Sequence, residues 1–279
     1  MQNAALGALG VNWRYLAFDV RPEELAQAIA GAKAMRFIGL NLTVPHKLLA
    51  MDMVDVLDES ARTWGAVNTI RFEGADETGA WQPLRAFPSA LPDQIRSQGF
   101  NTDADAIIQS LAEDLNLAPR GSSILLLGAG GAGRVAALRL AAENVSELFL
   151  INRTTSKADS LASEIRARFP QVNVVVGYPR RGRKISLALN ATSLGLGPSD
   201  DLPFDTQEFS LLQAEAVYDM IYWPAQTPFL KMAAAAGCRV ANGLGMLLYQ
   251  GAKALELWTG RKPPIEVMRE ALQKNIYGR

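Results

Sequence analysis

The chain is poor in the residues on which several large enzyme classes depend. It has one cysteine, Cys238, among 279 residues, so an internal disulfide and a cysteine-based zinc cluster are both closed to it, and a reducing compartment, the cytoplasm, is the expected location. Its one histidine, His46, rules out paired-histidine metal motifs and leaves a single candidate base for a Ser-His-Asp nucleophile. No metal is expected. Net charge is also missing: 28 Lys plus Arg balance 28 Asp plus Glu, so no field of one sign draws the chain to nucleic acid or to an anionic membrane. No apolar run approaches the ~18 residues of a membrane span, and Met1-Gln-Asn-Ala-Ala-Leu has neither the basic nor the apolar region of a signal peptide. Membrane insertion and secretion are therefore not expected.

What is present describes a globular enzyme-sized chain. A composition of 49% hydrophobic and 20% charged residues supplies a core, and at about 150 residues per domain the length suggests two domains. Strand-like and helix-like segments alternate. Tyr15 to Val20 reads as a strand, Pro22 to Ala34 as a helix, Ile38 to Leu42 as a strand, Met51 to Ala61 as a helix and Ala66 to Phe72 as a strand. Glu73 to Gln98, rich in Gly, Pro and Ala, shows no period and reads as a long surface loop or an insertion. A helix from Asp103 to Leu115 and the apolar run Ile124 to Leu127 open a second series. Helices follow at Gly131 to Ala142 and Lys157 to Phe169, and strands at Leu148 to Ile151, Val172 to Val176, Leu187 to Asn190, Ala216 to Asp219 and Arg239 to Ala241. Helices Met246 to Trp258 and Ile265 to Lys274 close the chain. The alternation predicts βαβ units and mainly parallel sheets.

Gly128-Ala-Gly130-Gly-Ala-Gly133 is a G-x-G-x-x-G placed directly after an apolar strand and at the start of a helix. There the glycines permit a tight turn and close approach of a pyrophosphate, and the helix N-terminus offers N–H groups and a positive dipole end. The competing reading is that the glycines serve helix-strand packing alone. An NAD site would place an acid at the end of the next strand to hold the ribose 2′-hydroxyl. This strand ends instead in Ile151-Asn152-Arg153-Thr154, with Lys157 one turn on. Two cations and no acid suit the 2′-phosphate of NADP, unless Arg153 and Lys157 are ordinary solvated charges.

Asn41-Leu-Thr43-Val-Pro45-His-Lys47 follows a strand, at the end where open α/β sheets bind ligands, so Thr43 and Lys47 are candidate site residues. By spacing alone Lys47 could equally be solvated, Asp103 could be a helix N-cap and Asn68 could close a turn.

These segments are also where the chain resembles the shikimate dehydrogenases. Asn41 to Lys47 is similar to that family's N-x-T-x-P-x-K, Gly65-Ala-Val-Asn68-Thr to its G-A-V-N-T, and Asn101-Thr-Asp103 to its N-T-D. The glycine turn, Asn152-Arg153-Thr154, Asn190-Ala-Thr192-Ser, Tyr218-Asp219-Met-Ile-Tyr222, Gly243-Leu-Gly245-Met246 and Gln250-Gly-Ala follow in family order. The resemblance implies NADPH-dependent reduction of the keto group of 3-dehydroshikimate to shikimate, a step of aromatic amino acid biosynthesis, by a monomer or homodimer. It implies that Lys47 and Asp103 are the catalytic pair and that Thr43, Asn68, Tyr222 and Gln250 line the substrate pocket. NADP would be held by Gly128, Ala129, Gly130, Gly131, Ala132, Asn152, Arg153, Thr154, Lys157, Thr192, Met220 and Gly243. The implied fold is two α/β domains: residues 1–104 plus 250–279 for substrate, with a mainly parallel sheet, and residues 105–249 as a Rossmann domain for NADP, the active site lying in the cleft between them. A quinate or shikimate dehydrogenase-like paralogue and a catalytically silent NADP-binding regulatory protein are the alternatives.

The chain departs from the family at its start. The family's N-terminal strand and the G-x-P-x-x-H-S-x-S-P-x-x-H-N segment, whose serines hold the substrate carboxylate, are unmatched, and Met1-Gln-Asn3-Ala-Ala resembles only the tail of that segment. The expectation is a true start lying upstream, with loss of the carboxylate clamp as the other reading. Ala104 stands in place of the usual Gly after N-T-D, and Leu196 where Met is frequent. The stretch from Asn68 to Asn101 is longer than in typical members, and reads as a lid, an oligomer contact or a surface insertion.

Overall fold

The computed structural model describes residues 1–88, 92–197 and 199–278, and the chain divides into two compact units, Met1–Asp103 with Leu248–Arg279, and Ala104–Leu247. In the first, α1 (Gln2–Ala8), α2 (Leu25–Ala34), α3 (His46–Leu49) and α4 (Glu59–Trp64) accompany the strands β1 (Gly39–Asn41), β2 (Val56–Leu57), β3 (Thr69–Ala75), β4 (Trp81–Pro83) and β5 (Ile95–Phe100). The sheet order is β1-β3-β5-β2, with β4 on β3. β3 runs antiparallel to β1, β4 and β5, and β2 pairs with β5 in parallel. The strands other than β3 thus share one direction, but three of the four ladders are antiparallel, not the mainly parallel pairing the alternation predicts. All three involve β3, which runs against each of its neighbours, and its tight turn to β4 is of the kind that joins only antiparallel strands.

Ile70 and Phe72 of β3 are fully buried against Leu25, Ile29 and Ala32 of α2, each such side chain contributing roughly 1.5–3 kcal/mol of transfer free energy. On β1 a side chain at Gly39 would meet the Trp258 indole nitrogen at 2.1 Å and the Ile70 carbonyl oxygen at 2.4 Å. The missing side chain lets Trp258 donate to the Ile70 carbonyl at 2.9 Å, fixing the helix that carries Trp258 (Leu244–Thr259) to the sheet.

Three expectations for this unit fail for physical reasons. Tyr15 to Val20 forms no strand, because its backbone joins no ladder and it is held by side chains instead. Asn3 brackets Tyr15, accepting from its N–H at 2.7 Å and donating to its carbonyl at 2.9 Å, and the His46 ring lies 2.9 Å from the Val20 carbonyl oxygen. Met51 to Ala61 is not one helix. The Asp55 carboxylate accepts from the Ser97 N–H at 2.7 Å, drawing the chain into β2 beside β5, and Asp58 then caps α4 by accepting from the Ser60 N–H at 2.9 Å. Glu73 to Gln98 is no simple loop. β3 continues into it, Asp76 accepts from the N–H groups of Thr78 and Ala80 at the turn into β4, and β5 begins at Ile95. Residues 89–91 of that stretch lie outside the described residues.

In the second unit α5 (Asp103–Leu115) leads to β6 (Ser123–Leu127), α6 (Gly131–Ala142), β7 (Glu147–Ile151), α7 (Thr155–Arg168), β8 (Asn173–Val176), β9 (Ile185–Asn190), β10 (Ala214–Asp219), α8 (Pro228–Ala235) and β11 (Arg239–Asn242). Helices α9 (Leu244–Thr259) and α10 (Ile265–Tyr277) complete the chain. The six strands are all parallel, in the order β11-β10-β9-β6-β7-β8. Such a sheet is covered on both faces, which explains the uninterrupted apolar run of β6, where Ile124, Leu125 and Leu126 have no exposed surface. The unanticipated α8 carries a start signal in the sequence: Thr227 caps it by accepting from the Leu230 N–H at 3.2 Å, and Pro228 is its first residue.

Candidate active site

The first unit gathers four of the expected residues from widely separated parts of the chain. Lys47 enters from α3, just past β1, Asn68 from the residue before β3, Asp103 from the first turn of α5 and Gln250 from α9. Lys47 Nζ lies 2.8 Å from Asp103 Oδ2. Asn68 Nδ2 donates to Asp103 Oδ1 at 2.9 Å and to Thr102 Oγ1 at 2.9 Å, with Gln250 Oε1 at 3.4 Å. Asp103 therefore serves as the acceptor for Lys47 and Asn68. Asn68 is 1% exposed and Asp103 6%, whereas the Lys47 side chain keeps 26% of its surface. A buried carboxylate with a partly open ammonium on it can present a proton donor to a polarised oxygen from one side only. Thr43 lies on the exposed loop ahead of Lys47, its carbonyl accepting from the His46 N–H at 2.8 Å.

Behind this pair stands a layer that motif reading left out. Thr102 donates its N–H to Asn68 Oδ1 at 2.8 Å. Asn41 Nδ2 donates to Thr69 Oγ1 at 3.0 Å, and the Tyr15 hydroxyl donates to Asn41 Oδ1 at 3.1 Å. Burial pushes the Tyr15 phenol above its ordinary range. The signal for these residues is a cluster of uncharged polar side chains at strand ends, visible in Asn68-Thr69 and Asn101-Thr102.

In the second unit the glycines divide the work of the turn. Gly128 has φ +107°, a region closed to most side chains, and a side chain at Gly133 would lie 2.1 Å from the Gly128 carbonyl oxygen. By contrast Gly130 and Gly131 have nothing within 4 Å of a would-be side chain. One pair shapes and packs the turn, so the packing reading holds for Gly133, while the other leaves the backbone open on the side a phosphate would approach. The Arg134 N–H closes the first turn of α6 on the Gly130 carbonyl at 2.7 Å, and the N–H groups before it have no partner inside the helix. Asn152 Oδ1 accepts from the Ala129 N–H at 2.9 Å, tying the end of β7 to the turn. Ala132 is in the first turn of α6. Thr154 is the residue that precedes α7, and Arg153 and Lys157 are exposed beside it, with no ion-pair partner among the described residues. A cleft of about 270 Å³ there is lined by Ala129, Arg134, Ser156, Lys157, Ser160, Leu161 and Glu164. An open glycine backbone, a cleft and two exposed cations fit a phosphorylated dinucleotide.

The ends of β9 and β10 carry a second buried network. Asp219, with no exposed surface, accepts from Asn190 Nδ2 at 3.0 Å, from the Thr227 hydroxyl at 2.7 Å and from the Ile221 N–H at 3.1 Å. Burial raises its carboxyl above the usual carboxylate range. Asn190 Oδ1 in turn accepts from the Thr192 hydroxyl at 2.7 Å, which sets the Thr192 turn. A side chain at Gly243 would meet the Met220 carbonyl oxygen at 2.0 Å, so Gly243 and Met220 are in backbone contact. Tyr222 follows on the same loop, 39% exposed. No cluster of three or more metal-ligating side chains exists among the described residues, and no helix among them is long and apolar enough to cross a membrane.

Comparison with known proteins accords with this geometry. Residues 1–70 match the shikimate dehydrogenase substrate binding domain, residues 110–176 the shikimate / quinate 5-dehydrogenase family and residues 243–273 the shikimate 5′-dehydrogenase C-terminal domain. The chain is 38% identical to the shikimate dehydrogenase (NADP(+)) of Methanopyrus kandleri, over 99% of this chain and 90% of that one. A shikimate dehydrogenase crystallised in complex with NADP+ superposes with TM-score 0.81 and 34% identity, over 99% of this chain and 89% of that one. The enzyme of Thermus thermophilus, crystallised with NADP(H) and shikimate, gives TM-score 0.78 and 33% identity, over 98% of this chain and 92% of that one. By sequence, fold and the order of its motifs, the chain belongs to the shikimate dehydrogenase family.

Proposed function

We propose that this protein is an NADP-dependent shikimate dehydrogenase that reduces 3-dehydroshikimate to shikimate in aromatic amino acid biosynthesis. The observation that carries the reading is the Lys47–Asp103 pair at 2.8 Å, set among Asn68 and Gln250 in a chain of this family. When bound, NADPH supplies the hydride. As the carbonyl carbon is reduced, negative charge grows on its oxygen, and the Lys47 ammonium stabilises that charge and delivers the proton. Asp103 keeps Lys47 in place and balances its charge. Thr43, Gln250 and Tyr222 hold the substrate hydroxyls, and Asn68, almost without exposed surface, serves the pocket by anchoring Asp103.

The second unit is assigned to the cofactor. Gly128, Ala129, Gly130, Gly131 and Ala132 take the pyrophosphate, with Asn152 bracing the turn. Arg153, Thr154 and Lys157 take the 2′-phosphate, and Thr192, Met220 and Gly243 border the nicotinamide. The protein is placed in the cytoplasm, as a monomer or homodimer that needs no macromolecular partner for this reaction.

The test is an assay of shikimate-dependent NADP reduction, run beside quinate and NAD. Turnover of shikimate with NADP, and little with the other pair, is the expected result. Turnover confined to quinate with NAD would replace the reading with that of a paralogue. NADPH binding without turnover on either substrate would reduce the protein to a silent dinucleotide-binding one.

A further inference from the structure

We propose that Thr102 is a positioning residue whose hydroxyl, through Asn68, holds the Asp103 carboxylate in register with Lys47. The inference rests on the reading of Lys47 and Asp103 as the reacting pair. Thr102 is 3% exposed, so it acts behind the pocket and not on the substrate.

Donor and acceptor chemistry orients the Asn68 carboxamide, and distance selects the partner of the Thr102 hydroxyl. The Thr102 N–H lies 2.8 Å from Asn68 Oδ1, and a backbone N–H can only donate, so the carboxamide oxygen faces it and the amide nitrogen faces the other way. The Thr102 hydroxyl has one hydrogen, and its shortest contact with an acceptor is to the Gln250 carbonyl at 3.0 Å, ahead of Asn68 Oδ1 at 3.3 Å and Thr69 Oγ1 at 3.4 Å, while the Asn68 amide nitrogen can only donate. Thr102 Oγ1 is therefore an acceptor toward Asn68 Nδ2 at 2.9 Å. The two hydrogens of Asn68 Nδ2 are then divided between Thr102 Oγ1 and Asp103 Oδ1, each at 2.9 Å, and Asp103 Oδ2 is turned to Lys47. The hydroxyl thus joins the start of α5 to the backbone of α9.

Removing that hydroxyl strands one amide hydrogen in a buried site. Its nearest other acceptor is Gln250 Oε1 at 3.4 Å. As the carboxamide turns toward Gln250, its bond to Asp103 Oδ1 lengthens and the carboxylate loses the second anchor that holds it on Lys47.

Three variants separate this role from general packing. Thr102→Val removes the hydroxyl and keeps the volume, Thr102→Ala removes both, and Thr102→Ser keeps the hydroxyl alone. Val and Ala are expected to lower kcat for shikimate about tenfold, with KM for shikimate and for NADP changed by less than about twofold because Thr102 is buried behind the pair. Ser is expected to restore most of kcat. A second readout does not depend on the substrate: acylation of Lys47 by an amine-reactive ester, followed by peptide mass spectrometry, should be faster in Val and Ala than in the wild type and Ser. Wild-type kcat and labelling in the Val variant, or a Ser variant as impaired as Val, would overturn the proposal. If the wild type does not turn over shikimate, the functional reading fails by that result alone, and the labelling comparison still decides the role of Thr102.

Discussion

The two units hold their functional groups by opposite means. In the first, five side chains from residues 47, 68, 102, 103 and 250 meet in one polar cluster, and each is held by hydrogen bonds to the others. In the second, backbone shape does the work: a positive φ at Gly128, a backbone contact at Gly133 and an open face at Gly130 and Gly131. The difference teaches what each kind of site tolerates. A side-chain cluster needs every partner, since a buried donor or acceptor left alone costs about 1–3 kcal/mol. A backbone cradle asks only that nothing intrude.

Breaking the first arrangement should give the largest effect. Lys47→Ala is expected to lower turnover by about 10²–10⁴-fold, while NADPH binding, followed by nucleotide fluorescence, stays unchanged. Near-normal turnover in that variant would sink the assignment of the pair.

Breaking the second arrangement comes next. Gly133→Ala places a methyl 2.1 Å from the Gly128 carbonyl oxygen, a clash with backbone that no rotamer relieves. A loss of roughly 1–3 kcal/mol of stability is expected, read as a lower Tm, together with weakened NADPH binding. Gly130→Ala, which meets no atom within 4 Å, is expected to keep the wild-type Tm and to lose only cofactor affinity. Equal melting of the two variants would erase the division of labour among the glycines.

The smallest effect sharpens the comparison, because Asp219 is a side-chain device inside the backbone-built unit. Its carboxyl is raised by burial, so the folded protein binds that proton more tightly than the unfolded chain. Stability from this group is greatest below the unfolded value of about 3.9 and falls as pH rises toward the raised folded value. Asp219→Asn removes that slope. Relative to the wild type, the variant is expected to gain Tm as pH rises above the unfolded value of about 3.9; a Tm difference that stays constant with pH would show that the carboxyl is not raised.

The second unit was the more legible of the two. Gly131 to Ala142 is α6 to the residue, and the strands at 123–127, 147–151 and 239–242 lie within about two residues of their sequence reading. Continuous apolar runs between helices point to a parallel sheet without knowledge of distant partners. The first unit hid β5, because Ile95-Arg-Ser-Gln-Gly-Phe100 is half polar and its burial depends on remote groups. Glu73, 3% exposed, pairs there with Arg71 and Arg96, and Asp55 pairs with Ser97. Tyr15 to Val20 erred the other way, showing a strand's composition where no ladder receives it.

The sequence by itself determined the classes of chemistry open to this protein. One histidine and one cysteine closed paired-histidine metal motifs, cysteine zinc clusters and internal disulfides, and ordered motifs carried the family, its cofactor and the candidate lysine and aspartate. Tertiary structure alone decided how those residues are held. That Asp103 anchors Lys47, that Asn68 presents its nitrogen to Asp103, and that Thr102 sets this orientation depend on atoms up to 182 residues apart. Motifs name residue types along a line, whereas a hydrogen bond is fixed within tenths of an ångström by the folding of separate segments against one another.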